Sequence, residues 1–126
     1  MSFVGTDNLV AQVGKDGDGV LISQVVPFPQ DDDLAVTRAC RVALKDAGGE
    51  ALGFVNFEGC VTARVLVAAL DRAGKDLTRK SLVEALEGMQ KVELDGFAVQ
   101  FSADNHQASN KVFMTQIRDG KVTKMP

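Results

Sequence analysis

Tryptophan and tyrosine are absent from the 126 residues, and seven phenylalanines are the whole aromatic complement. Little is available for base stacking. Fourteen Lys and Arg stand against 17 Asp and Glu, for a net charge of −3, so there is no general basic footprint for nucleic acid. One histidine and two cysteines, Cys40 and Cys60, are too few for a disulfide scaffold and lack metal-site spacing. The longest nearly apolar run, Val65 to Leu70, is far short of the ~20 residues that a bilayer span requires. Met1 opens no cationic segment followed by an apolar one, the pattern of a signal peptide. That absence would favour the cytoplasm in a complete chain.

Catalytic signatures are missing as well. There is no P-loop, GxGxxG, HExxH or nucleophile elbow, so no catalytic residue, metal or cofactor is expected. Gly14, Gly17 and Gly19 resemble a phosphate loop only superficially, because they precede a strand instead of opening a helix. His106 has Asp104 and Asn105 beside it, but adjacent loop residues rarely converge on a metal or a proton, and a solvated or loop-bracing role is expected.

The composition that is present, 45% hydrophobic and 25% charged, is the ordinary mix of one folded domain. Ser2 to Gly5 reads as a strand entering a turn. Thr6-Asp7-Asn8 is expected to cap a brief helix, Leu9 to Val13, which Gly14 stops, and Lys15 to Gly19 is a loop by composition. Val20 to Val26 has the near-continuous β-branched pattern of a strand covered on both faces, ended by Pro27 and Pro29. Asp31-Asp32-Asp33 is placed to open a helix at its dipole-favoured end, with Val36, Ala39, Cys40, Ala43 and Ala47 on one apolar face. A second helix, Glu58 to Ala73, is apolar on most faces and therefore expected to be largely buried, behind a short lead-in from Phe54 to Phe57. Thr78 is the expected N-cap of a third helix, with Leu77 and Leu82 as a hydrophobic staple. The remainder alternates like β structure, and Asp119-Gly120 is a strong hairpin turn between 111–117 and 121–125. The opening strand–helix–strand looks like a fragment of a parallel sheet without neighbours. The chain reads as the end of a larger α/β protein.

Two positions carry possible binding chemistry. Asp7 lies just past a strand's C-terminal end, where open α/β sheets bind ligands, and a carboxylate there can pair with a ligand ammonium; the alternative is a plain helix cap. Phe57 can wall an apolar pocket or simply belong to the core. Cys40 and Cys60 sit on consecutive helices and can bridge if their Cα atoms approach within ~7 Å; otherwise they are two small buried thiols.

Phe3-Val4-Gly5-Thr6 and Gly19-Val20-Leu21-Ile22-Ser23-Gln24-Val25-Val26-Pro27 resemble the last strand–helix–strand in the second lobe of periplasmic solute-binding proteins of the branched-chain amino acid family. Phe57-Glu58-Gly59-Cys60, followed by Ala63-Arg64-Val65-Leu66, Ala69-Leu70 and Arg72-Ala73-Gly74, is similar to that family's Glu-Gly-Tyr helix. Asp104-Asn105-His106-Gln107 and the Asp119-Gly120 hairpin resemble its C-terminal end. The resemblance covers nearly the whole chain and the last third or so of such a protein. It implies an α/β chain with a partial type I periplasmic-binding-protein fold: three main helices, short strands and a C-terminal β-hairpin. Residues 1–25 would be part of lobe two, 26–110 the helical part of lobe one, and 111–126 the hairpin returning to lobe two.

The same resemblance implies ligand-binding roles for Asp7, as partner of an α-ammonium, and for Phe57, as an aromatic wall. Cys60 departs from the family's Tyr, and Cys40 also sits where Tyr is frequent, which favours a bridge between them. The implied function is a fragment of an extracytoplasmic, periplasmic receptor that captures an amino acid or related small molecule and delivers it to an ABC permease. The alternative is a sensory or regulatory domain of the same fold feeding a signalling partner. An enzyme is disfavoured by the lack of paired acid–base residues. The isolated piece is expected to self-associate through faces normally covered by missing strands.

Overall fold

A computed structural model describes residues 5–49 and 51–125. The strand expected from Ser2 lies outside them, apart from Gly5, which is the N-cap of helix α1, Thr6–Val13. That helix starts earlier than expected and has no side-chain cap. The N-cap glycine has no side chain to offer, and the Thr6 hydroxyl accepts a 2.7 Å bond from Gln24 Nε2 in a buried pair. A 3₁₀ turn, Gly14–Gly17, replaces the expected loop. Gly17 is required there by close approach, because a Cβ would press on Val13 and on Ile117 Cδ1.

Strand β1 is only Leu21–Gln24, and it is not covered on both faces. Leu21 is 55% exposed and Val25 52%. It pairs antiparallel with β4, Phe113–Arg118, which pairs with β5, Lys121–Lys124, in the order β1-β4-β5. Every described pairing is antiparallel, so the parallel sheet expected from the first strand is not seen among these residues. The Asp119-Gly120 turn forms as expected, with φ of 51° and 68°. A second hairpin, β2 Val92–Leu94 and β3 Phe97–Val99, turns at Asp95-Gly96 by the same device, φ 50° and 86°.

Helix α2 runs Ala35–Asp46, so the three aspartates precede it instead of forming its first turn. One of its N-terminal amides finds a backbone partner instead of a carboxylate: Val36 N donates to the Asp95 carbonyl at the β2–β3 turn, 2.9 Å away. Val36, Thr37 and Cys40 are buried, whereas Ala43 and Ala47 are exposed. Helix α3, Phe54–Ala73, absorbs the lead-in as its first turn. It buries only Phe54, Phe57, Val61 and Ala69, and leaves Leu66 and Val67 open, so it is amphipathic and not largely buried. Helix α4, Arg79–Glu87, has the expected Thr78 cap: Ser81 N donates to Thr78 Oγ1 at 3.0 Å.

The principal packing contacts divide the elements into two groups. One contains α1, the 3₁₀ turn, β1, β4 and β5; the other contains α2, α3 and α4, to which the β2–β3 hairpin is joined through the core side chains Leu94, Phe97 and Val99. The main core lies around Val36, Phe57, Met89 and Val99 and includes Val26, while Phe113 of β4 and Val122 of β5 pack against it from the first group. Cys40 and Cys60 are joined there, with Cα atoms 5.9 Å apart and a sequence separation of 20, tying α2 to α3. Cross-linking a loop of that length stabilises by about 3 kcal/mol, chiefly through the unfolded chain. Reduction, or replacing both cysteines by alanine, is therefore expected to lower the urea-unfolding free energy by about that amount. An unchanged midpoint would contradict the staple.

Candidate functional site

The cleft that contains Asp7 lies between the two packing groups. It has a volume of about 490 Å³ and is lined by Asp7 and Asn8 from α1, Gln30 from the connecting segment, and Gly53, Val55 and Asn56 from the start of α3. Asp7 occupies the first turn of α1, where the positive end of the dipole favours a carboxylate. Its side chain is exposed and makes no hydrogen bond or ion pair with another described residue. It is therefore not the helix cap that was the alternative reading.

The opposite wall is built by the way α3 begins. Gly53 N donates to Asn56 Oδ1 at 2.7 Å, and Asn56 Nδ2 donates to the Ala51 carbonyl at 3.2 Å, which fixes the entry of the helix. Gly53 leaves room at this point for the Asp7 carboxylate, which a Cβ there would displace. Val55 projects from the first turn, 66% exposed. Its Cγ2 would lie 3.2 Å from a Cβ at Gly5, so glycine also permits the two walls to approach.

Phe57 is elsewhere. It is 0% exposed and belongs to the main core, two residues past Val55 and turned inward. The structure thus brings Asp7 together with Val55 and does not bring it to Phe57, whose ring offers no surface to the cleft. Sequence reading missed Val55, Gln30 and Asn56. The usable sign was the Gly53-Phe54-Val55-Asn56 order: an Asn three residues past a Gly can cap a helix, which would have moved the expected start forward and put Val55 on its first turn.

Asp7 is the only ionisable side chain lining the cleft among the described residues. A lone carboxylate flanked by amides and a valine can hold a cation and an apolar group, but it has no second acid or base to share a proton transfer. His106 lies apart from the cleft and pairs with Glu87 at 3.0 Å, bracing the 102–110 loop against α4. No group of metal-ligating side chains occurs among the described residues. No described helix is long and apolar enough to cross a membrane.

The arrangement is thus two packed groups flanking a cleft that carries one carboxylate. The chain belongs to the periplasmic binding protein family, whose profile matches residues 1–121. It is similar in structure to a possible leucine/isoleucine/valine-binding protein from Rhodopirellula baltica SH 1, with 31% identity, a TM-score of 0.90, and coverage of 99% of this chain and 34% of the other. An extracellular ligand-binding receptor from Verminephrobacter eiseniae ef01-2 is 30% identical, with a TM-score of 0.82, over 97% of this chain and 36% of that one. A branched chain amino acid ABC transporter protein from Thermus thermophilus, solved with bound valine, shares the fold at 20% identity, with a TM-score of 0.84, over 98% and 36%. The chain thus spans about a third of the length of these structures. No curated protein matches it.

Burial separates the two aromatic readings experimentally. Phe57→Ala is expected to cost about 3–5 kcal/mol of stability, the usual penalty for emptying a fully packed aromatic site. A change below about 1 kcal/mol in denaturant unfolding would instead return Phe57 to the cleft wall.

Proposed function

We propose that this chain is part of an extracytoplasmic receptor that captures an amino acid for an ABC permease, with Asp7 as the partner of the ligand's ammonium group. The observation that carries the reading is the exposed Asp7 carboxylate, unpaired among the described residues, facing the first turn of α3 across the cleft between the two groups. A charge-assisted bond to an ammonium is the strong interaction such a group makes. Val55 supplies the apolar wall in place of Phe57 and fits an aliphatic side chain. The relatives' names, one leucine/isoleucine/valine-binding and one solved with valine, support an amino acid as the solute. The two packing groups correspond in this reading to pieces of two lobes, with the cleft on the line where lobes close.

One carboxylate and one wall are half a site. Association costs several kcal/mol in lost freedom before contacts register as affinity. Calorimetry with leucine, isoleucine and valine is accordingly expected to show no micromolar binding to the chain alone. The decisive experiment places this chain in the Rhodopirellula protein in exchange for its matching third. A folded chimera is expected to bind an aliphatic amino acid, and Asp7→Asn to weaken that binding by about 10–100-fold through loss of the charged partner. A chimera whose affinity is unchanged by Asp7→Asn overturns the assignment.

The uncovered apolar side chains have their own consequence. Leu21, Val25, Leu66, Val67, Val112 and Met114 are exposed together with Val20. Apolar exposure on this scale favours association. Light scattering is expected to show dimers or larger species of the isolated chain, and a clean monomer would contradict this.

A further inference from the structure

The two packing groups are connected by the segment between β1 and α2 and by the one between β3 and β4. The first of these is not a loose linker. Arg41 Nη2 donates to the Pro29 carbonyl at 2.8 Å, Arg41 also pairs with the Asp32 carboxylate, and Arg38 donates to the Asp32 carbonyl. Phe28 packs edge-on against Phe54 of α3, ring centres 5.9 Å apart. Residues 28–32 are thereby fastened to the α2–α3 group, and Asp31 moves with that body. Its carboxylate is further set by Asp33 N, which donates to Oδ1 at 3.1 Å.

The other carboxylate oxygen, Oδ2, accepts from Lys124 Nζ. Lys124 stands on β5, opposite Thr115 of β4, and so belongs to the other group. The pair therefore joins the two bodies directly, 93 residues apart in the chain. It lies at the rim of a groove of about 270 Å³ between Phe28 on one side and Val112, Phe113, Met114 and Met125 on the other. Asp31 is 14% exposed and Lys124 59%, so one partner is largely sheltered from water. The hydrogen bond from Lys124 holds the Asp31 carboxyl below its ordinary range, and Asp31 raises the lysine; the Asp33 carboxylate adds to the field at Lys124.

Gln30, the residue before Asp31, lines the Asp7 cleft, and that cleft's two walls come one from each body. We propose that the Asp31–Lys124 ion pair is an electrostatic tether that sets the relative orientation of the two bodies and, through it, the width of the Asp7 cleft. The importance of that width rests on the function proposed above; the tether itself does not, and its test needs no ligand. Release of the pair removes the charged link between the bodies, leaves the packing of Phe113 and Val122 against the core as the remaining restraint, and lets the cleft take a range of widths.

Spin labels at Gln12 on α1 and Ala63 on α3, both exposed, report the separation of the bodies by pulsed dipolar spectroscopy in a magnetically diluted sample. At about 0.05 M salt one narrow distance distribution is expected, and at about 1 M salt, where the screening length falls to roughly 3 Å, a broader one shifted to longer distance. Lys124→Gln and Asp31→Asn are each expected to give the broad distribution at low salt and to lose the salt response. The charge-exchanged double variant Asp31→Lys with Lys124→Asp is expected to restore the narrow one. Lys121→Gln, on the same strand and in no ion pair among the described residues, controls for net charge and is expected to behave as the parent chain. Distributions unaffected by Lys124→Gln and Asp31→Asn, or broadened equally by Lys121→Gln, overturn the tether. Loss of ligand binding in the chimera with an intact salt response would sink the receptor reading alone.

Discussion

Burial of one stripe of α3 organises the rest of the molecule. Phe54, Phe57 and Val61 enter the core together with Val36 and Cys40 of α2, and the Cys40–Cys60 link fixes those two helices at that contact. Removing such side chains from water contributes on the order of 2 kcal/mol each, which no surface interaction in the chain matches. With the stripe turned inward, the first turn of α3 must present its other face outward. Val55 and Asn56 then fall on the cleft, and Gly53 leaves space for the Asp7 carboxylate. Core and site are two sides of one helix.

The second body depends on a smaller set of constraints. Ile117 and Thr115 are buried beneath α1 and the 3₁₀ turn, where Gly17 allows backbone to approach the Ile117 side chain. The buried Gln24–Thr6 bond holds the start of α1, and with it Asp7, to the end of β1. A buried hydrogen bond of this kind matters mostly through the cost of leaving either partner unpaired. Gly120 N donates to Asp18 Oδ1 at 2.9 Å, and the C-terminal hairpin is locked to the turn beneath it. These contacts make the α1 side of the cleft a rigid wall.

The periodic and local features of the chain could be read directly. The Asp119-Gly120 hairpin, the Thr78 cap, the stop at Gly74 and the departure from the sheet at Pro27 and Pro29 all depend on residues within a few positions of each other. Asp7 was also legible as a candidate, because an acidic residue at the end of a strand is a local pattern. The errors share one origin. Asp31 to Asp33 looked like the opening of a helix, but the Asp95 carbonyl, sixty residues away, satisfies the Val36 amide and leaves the aspartates to Lys124 and Arg41. Val20 to Val26 looked like a fully covered strand because β-branched residues report pleat preference and not which neighbours are present.

Phe57 and Val55 show the division most clearly. Composition and spacing gave an apolar lead-in from Phe54 to Phe57 before a helix and a carboxylate at position 7, and the family resemblance placed the two in a binding fold. Which apolar side chain meets that carboxylate depended on the rotation of α3 about its axis. That rotation is set by the sum of contacts with α2, α4 and the β2–β3 hairpin, and a helix turns about 100° per residue. Two residues of offset therefore separate a buried core ring from an exposed cleft wall, a choice available only once the whole core has packed.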